Sequence, residues 1–424
     1  MLRTFQLPRL FTAVVVYGLV ISAHAAEQID QASPRDTDSP NSSSLRYEGR
    51  TEAEWQEWLK NIDLQSSAAA SAARSLAAVA VDRTAPETLR KPIVHTLGRI
   101  DASADVAVEV FDELLNDPAA IAGEDSPRSW ALKGIALLGR PAAELTPHVI
   151  EILEGDDTLP LDRLLALEAL ARIGAAHART LSAIVSVLDG RSLADASGGE
   201  MMDDEDFRQR LRTGAAEVLV LFGPAGSPAI PSLLQAARSD HEPLRRAAVT
   251  TLGPIGNPLV TDALIDTLLL DESPAVRDAA AVSLAQLGAE STDVFVPMLG
   301  DPEAATRIRA ADGLRRIGKP AAAAVAPLQQ MLTDQDLKVR VAAAEALWTL
   351  TGALDPALDS ALTMLAVPQR DVRIQAHRLI LTIGRESRDP EVLKRLEQLV
   401  DSRDPRVRQA ASIAYRELQK LIIE

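Results

Sequence analysis

Val276-Arg277-Asp278-Ala279-Ala280-Ala281-Val282-Ser283-Leu284-Ala285-Gln286-Leu287-Gly288 decides the fold, because its pattern recurs along the chain. An Arg is followed by Ala at +3, by a large apolar residue at +7 and by Gly at +11. The Arg–Gly pairs are Arg128/Gly139, Arg163/Gly174, Arg212/Gly223, Arg245/Gly256, Arg277/Gly288, Arg307/Gly318 and Arg373/Gly384. Two looser copies begin at Arg340, whose Gly slips to Gly352, and at Arg408, where Gln419 stands in place of Gly. The Ala positions are 131, 166, 215, 248, 280, 310, 343, 376 and 411. A phrase returning every few tens of residues marks a repeat array whose units share one continuous core.

The spacing predicts one amphipathic helix per phrase. Ala at +3 lets neighbouring helices approach, and the apolar residue at +7 lies on the same face. Between phrases run Pro-x-Leu segments: Pro147–Leu153, Pro231–Ala237, Pro327–Leu332 and Pro390–Val400. We read each unit as a first helix carrying the phrase and a second helix of Pro-x-Leu type. Gly would supply the left-handed C-cap, and Pro would sit in the first turn of the next helix. Hydrophobic residues make up 47% of the chain but aromatics only 3%, so Ala and Leu fill the interior, as suits closely packed helices. The fold class expected is an all-α solenoid of about nine or ten helical hairpins over residues 66–424.

The ends and the one irregular spacing define the rest of the organisation. Arg3 and Arg9 precede or flank a short apolar run, Leu10 to Ile21, and Ala23-His24-Ala25 has the small-x-small form of a cleavage site. Residues 1–25 therefore read as a signal peptide and the protein as exported, with periplasmic residence expected. Residues 26–46 are rich in Ser, Asp and Pro and read as a disordered linker. Residues 47–65 read as an N-terminal capping helix, with Thr51 and Glu54 as a capping box and Trp55 and Trp58 on its apolar side. Successive phrase glycines mostly lie 30 to 35 residues apart, but Gly174 to Gly223 spans 49. The excess maps to residues 190–206, read as a loop insertion.

The phrase resembles the short HEAT-like repeats of bacterial proteins, the kind also found in phycobilisome lyases. Its best copies are residues 276–288 and Val339-Arg340-Val341-Ala342-Ala343 through Leu347. The resemblance covers roughly residues 85–420. It implies an α-solenoid used for recognition, with second helices lining the concave side, and no single activity.

Candidate chemistry is sparse. Asp157, Asp206, Asp271, Asp301 and Asp334 each precede a phrase Arg by six residues, and Asp240 precedes Arg245 by five. We expect a ladder of ion pairs between neighbouring units, not a phosphate-binding stripe. The run Asp203-Asp204-Glu205-Asp206 lacks the acid spacing of a calcium loop and reads as a solvated acidic loop. His24, His95, His148, His177, His241 and His377 show no metal-ligand spacing, and His377 reads as a partly buried structural residue. The chain has no Cys, which removes disulfides, thiolate zinc sites and Cys nucleophiles. No cofactor and no metal are expected, and no catalytic motif is present.

The formal net charge of −16, which becomes −18 without residues 1–25, disfavours nucleic acid and an anionic membrane face. The function expected is a non-enzymatic protein-binding scaffold with protein partners and no membrane insertion after signal cleavage. One alternative is an enzyme auxiliary of lyase type that handles a tetrapyrrole or similar chromophore. A second is a nucleic-acid-binding helical repeat protein. The partner surface expected is the polar side of the Pro-x-Leu helices: Ser232, Gln235, Asp262, Asp266, Gln329, Gln330, Glu391, Lys394 and Gln398.

Overall fold

In a computed structural model, residues 45–117, 125–155, 158–174, 178–191 and 205–422 are described. They fall into two compact units that divide between Glu57 and Trp58. In the first, Tyr47 and Arg50 exchange backbone hydrogen bonds of 2.7 and 3.1 Å across a turn. Its central residues Glu48 and Gly49 both have positive φ. The capping box forms as expected: Thr51 N–H donates to Glu54 Oε2 at 2.7 Å and Glu54 N–H donates to Thr51 Oγ1 at 3.3 Å. Trp55 is buried, donates to the Tyr47 carbonyl at 2.8 Å, and carries the Arg50 guanidinium over its ring. The helix itself, α1, is Glu52–Asn61 and continues across the division.

The second unit is an all-α solenoid in which helices alternate between two rows. The even row holds α2 (Ser67–Val81), α4 (Ala104–Leu115), α6 (Thr146–Glu154), α8 (Ala178–Leu188), α10 (Ile230–Ala236), α12 (Thr261–Leu270), α14 (Thr292–Met298), α16 (Val325–Met331), α18 (Leu354–Met364) and α20 (Pro390–Val400). The odd row holds α3 (Glu87–Leu97), α5 (Pro127–Leu138), α7 (Pro160–Ile173), α9 (Glu205–Leu219), α11 (Glu242–Ile255), α13 (Pro274–Leu287), α15 (Ala304–Ile317), α17 (Leu337–Thr351), α19 (Arg370–Ser387) and α21 (Pro405–Ile422). Each even helix packs on the odd helix that follows it, giving ten hairpins among the described residues. The unit boundaries therefore differ from our reading of the sequence. The Pro-x-Leu helix comes first in each hairpin and the phrase helix second, while the Gly and, in most units, a short 3₁₀ turn carry the chain to the next hairpin.

Phrase helices make the close-packed row. Every odd helix touches the next odd helix, whereas even helices from α10 onward hardly approach one another. All nine phrase Ala side chains are fully buried. With only a methyl group there, the helix axes close up and the apolar residues at +7 fill what remains: Leu170, Leu219, Leu252, Leu284, Leu314 and Leu347 are all buried.

The glycines divide by backbone. Gly174, Gly256 and Gly352 form the left-handed cap expected, with φ of 66, 68 and 64°. Gly139, Gly223, Gly288 and Gly318 also have positive φ, but their ψ between −130 and −150° turns the chain into a 3₁₀ segment or turn instead. Gly384 is not a cap at all: it lies inside α19, where an added Cβ would come within 2.4 Å of Leu418, and Arg388 caps that helix. Glu205–Ala236 is apolar and long enough to pass as a membrane span, but it breaks at Gly223 and its halves, α9 and α10, belong to different rows.

Candidate functional site: the exposed face of the even row

The phrase Arg closes its own hairpin. Arg277 Nη1 donates to the carbonyls of Asp271 and Glu272 at 2.6 and 3.2 Å, and Arg307 Nη1 does the same to Asp301 and Pro302 at 2.7 and 3.0 Å. Arg245, Arg340, Arg373 and Arg408 repeat the contact, and fully buried Arg163 donates to Leu153, Gly155 and Thr158 carbonyls. The last carbonyls of a helix have no partner inside it, so a cation there satisfies orphan acceptors and opposes the negative end of the helix dipole.

This corrects the expected ion-pair ladder. Asp271, Asp301 and Asp334 each give the Arg six residues on its carbonyl and accept a backbone N–H on their own carboxylates, from Ser273, Glu303 and Asp336, whereas Arg212 reaches the Leu188 carbonyl and Asp206 pairs with Arg210. Only two true rungs occur among the described residues: Arg245 to Asp271 at 3.0 Å and Arg307 to Asp334 at 2.9 Å. Asp157 lies outside the described residues.

Half of the acidic run expected in a loop is helical. Residues 192–204, including Asp203 and Asp204, lie outside the described residues. Glu205 and Asp206 form the first turn of α9, where they pair with Arg208 and Arg210 at 3.3 Å. No group of acids and histidines among the described residues is arranged to hold a metal. His148 pairs with Asp112 at 2.7 Å, burial lowers His377, and burial pushes His95 down to about 4. His24 and His177 lie outside the described residues.

The capping role of the phrase Arg reshapes the charge map. The odd row is rich in Arg, but its phrase guanidiniums are turned toward the hairpin turns, and Arg309, Arg315 and Arg385 pair with Asp278, Asp312 and Glu417. The even row holds thirteen Asp and Glu against four Lys and Arg, so it presents the uncompensated negative charge. Gln235, Asp262, Asp266, Gln329, Gln330, Lys394 and Gln398 are exposed on this row, and Ser232 and Glu391 are half-buried. They do not act as one set. At the C-terminal end Arg395 binds Asp355, Asp359 at 2.7 Å and Glu391 at 3.2 Å, with Lys394 on Glu391 at 3.2 Å. Those hydrogen bonds, from Arg395 first and Lys394 next, hold the Glu391 carboxyl below its ordinary range.

Asp262 and Asp266 differ: neither carries an ion pair or a side-chain hydrogen bond. Asp266 lines a cleft of about 240 Å³ between α10 and α12, together with Leu234, Ala237, Leu252, Leu264 and Leu270 and the polar Arg238, Thr267 and Asp271. The sequence signal for the acids was helical spacing alone. Nothing in the sequence marked the cleft or the exposed leucines of this segment, Leu259, Leu269 and Leu270, the last of which lines it, because leucine at a repeat's helix reads as core.

The phrase helices pack closely on one another along their own row, and the polar stripe belongs to the looser row of Pro-x-Leu helices.

A HEAT-repeat family model matches residues 200–285, 230–304 and 292–379. No curated protein matches the chain in sequence. Among solved structures, Kap95p bound to RanGDP is 15% identical, covers 92% of this chain and 54% of its own, and has a TM-score of 0.51. Kap121p is 15% identical over 90% of this chain and 44% of its own, with a TM-score of 0.50. This chain thus spans about half the length of either, and the likeness is one of fold. The complex of CpcE and CpcF of phycocyanin lyase from Nostoc sp. PCC7120 is 21% identical over 57% of this chain and 93% of its own, at a TM-score of 0.34.

Proposed function

We propose that this solenoid of HEAT repeats is a non-enzymatic scaffold that binds a protein partner along the exposed face of its even row. The observation that carries the reading is the separation of roles between rows. The phrase helices spend their Ala, Leu and Arg on packing and on closing hairpins. The even helices carry unpaired acids, amides and an open cleft that no fold requirement explains. A surface mixing acids, amides and leucine suits a protein better than a polyanion. Kap95p and Kap121p, which share the fold, are seen in complexes with the proteins RanGDP and Nup53p respectively.

Export is part of the same proposal. It rests on the Arg–apolar–Ala-x-Ala order of residues 1–25, and the N-terminus of protein from its native host tests it: cleavage gives a start at or near Ala26. For the binding face, Asp262→Lys with Asp266→Lys should weaken partner binding while leaving helicity and melting intact, and Arg246→Glu on the odd row should not. Binding lost only through the odd-row change would refute the even-row assignment.

A further inference from the structure

Leu259, Leu269 and Leu270 are 84, 54 and 79% exposed, and they stand within one short stretch of the even row. Leu259 lies in the 3₁₀ turn Pro258–Val260 that leads directly into α12. Read along that element, Leu259, Asp262, Asp266 and Leu270 follow at steps of three, four and four residues, the spacing of one helix face. The face is therefore apolar at both ends and doubly acidic in the middle. Its C-terminal half, Asp266 and Leu270, lines the cleft between α10 and α12 together with Leu234, Ala237, Leu252 and Leu264.

Two features argue that this face is left open for something. The α10 and α12 backbones hardly approach each other, so the cleft is a furrow between two helices of one row. Asp262 and Asp266 have no cation of their own, whereas Asp271, Asp334 and Asp371 each pair with an Arg or Lys. Arg238, just after α10, is the single basic residue lining the furrow.

We propose that this furrow docks a basic amphipathic helix from a partner protein, with two Lys or Arg against Asp262 and Asp266 and an apolar residue at each end against Leu259 and Leu270. The inference rests on the even-row reading above and names the partner's chemistry. A third helix fits because a furrow between two helices accepts the ridge of another. Exposed acid–base pairs contribute little strength each but fix register, so the two leucine contacts supply most of the affinity.

The test uses the mature chain and two labelled helical peptides, identical except that the two central residues are Lys in one and Glu in the other. Both carry Leu at the flanking positions of the complementary spacing. Fluorescence anisotropy at low salt should show the Lys peptide binding at least tenfold tighter than the Glu peptide. Asp262→Lys with Asp266→Lys should invert that preference, and Leu259→Ser with Leu270→Ser should weaken both peptides about tenfold or more. Circular dichroism melts of the variants check that the array stays folded, and the inverted preference is a gain that misfolding does not produce. Equal binding of the two peptides, or no binding of either, would overturn the proposal. So would sedimentation showing that the unliganded chain is a dimer dissociated by Leu270→Ser, since a second copy would then cover the leucines. Crosslinks to a protein from Gln330 or Gln398 alone would leave the scaffold reading standing while this furrow failed.

Discussion

Asp162 sits where the other complete copies of the phrase hold Pro, Leu, Val or Thr, one residue before the Arg, and it is only 1% exposed. Its Oδ2 has no hydrogen-bond partner, and the nearby Arg128 has a buried Nε that is likewise unpartnered. Burial raises the carboxyl from 3.8 to about 6, against the opposing pull of Arg128 and Lys133. At about 1.4 kcal/mol per tenfold step, holding this group ionised in the fold costs about 3 kcal/mol at neutral pH. The sign follows from a folded value above the unfolded one: the group favours the fold fully below 3.8, and that contribution is lost as pH rises through about 6. Asp162→Val, which supplies the residue found at Val276, Val339, Val372 and Val407, should stabilise α7 and its neighbours by about 3 kcal/mol at pH 7. Arrays of this kind unfold piecewise, so a single melting curve averages the effect away. Hydrogen exchange of peptides covering Pro160–Ile173, corrected for intrinsic rates, reads it locally. The wild type should become more protected between pH 7 and pH 5, and the variant should be more protected at pH 7 and insensitive to that change. A wild type whose protection falls on acidification, or a variant that is less protected at pH 7, would refute the reasoning.

The hairpin-closing role of the phrase Arg makes a graded prediction. Arg163→Ala strands three carbonyls around a fully buried site and should cost about 3–5 kcal/mol of local stability by hydrogen exchange of the peptides covering its hairpin, whereas partly exposed Arg277→Ala should cost about 1–2 kcal/mol. Equal losses would point to a charge ladder and not to carbonyl capping. Gly98→Ala would place a methyl 2.5 Å from the Gly134 carbonyl oxygen, which the backbone cannot yield, and should lower stability by about 2–3 kcal/mol in the same assay.

What the sequence made legible was whatever each repeat must do for itself. Nine buried Ala and the apolar residues after them were visible because helix packing imposes one spacing on every unit. The direction of the hairpin was not visible, since a period reads the same whichever helix is taken first. The ion-pair ladder failed for a related reason. An Asp six residues before an Arg looks like a charge partner, but in the fold the nearer acceptors are the carbonyls at the end of the preceding helix, and the carboxylate serves the turn. Of the candidate site, Asp262 and Asp266 were found from helical spacing. The furrow beside them depends on how far apart α10 and α12 stand, and no residue in either helix encodes that distance alone. The Glu391–Lys394 pair looked equally available in sequence, but Arg395, Asp355 and Asp359 occupy it in the structure.

The central claim is that the even row meets the partner while the phrase row holds the array together. Site-specific photocrosslinking in the native host tests it directly, with the crosslinker placed singly at Asp266, Gln330 and Gln398 on the even row and at Arg246 and Thr349, equally exposed, on the odd row. The account predicts one common protein adduct from the even-row positions and none from the odd row. Adducts from Arg246 and Thr349 with none from Asp266, Gln330 or Gln398 would contradict it.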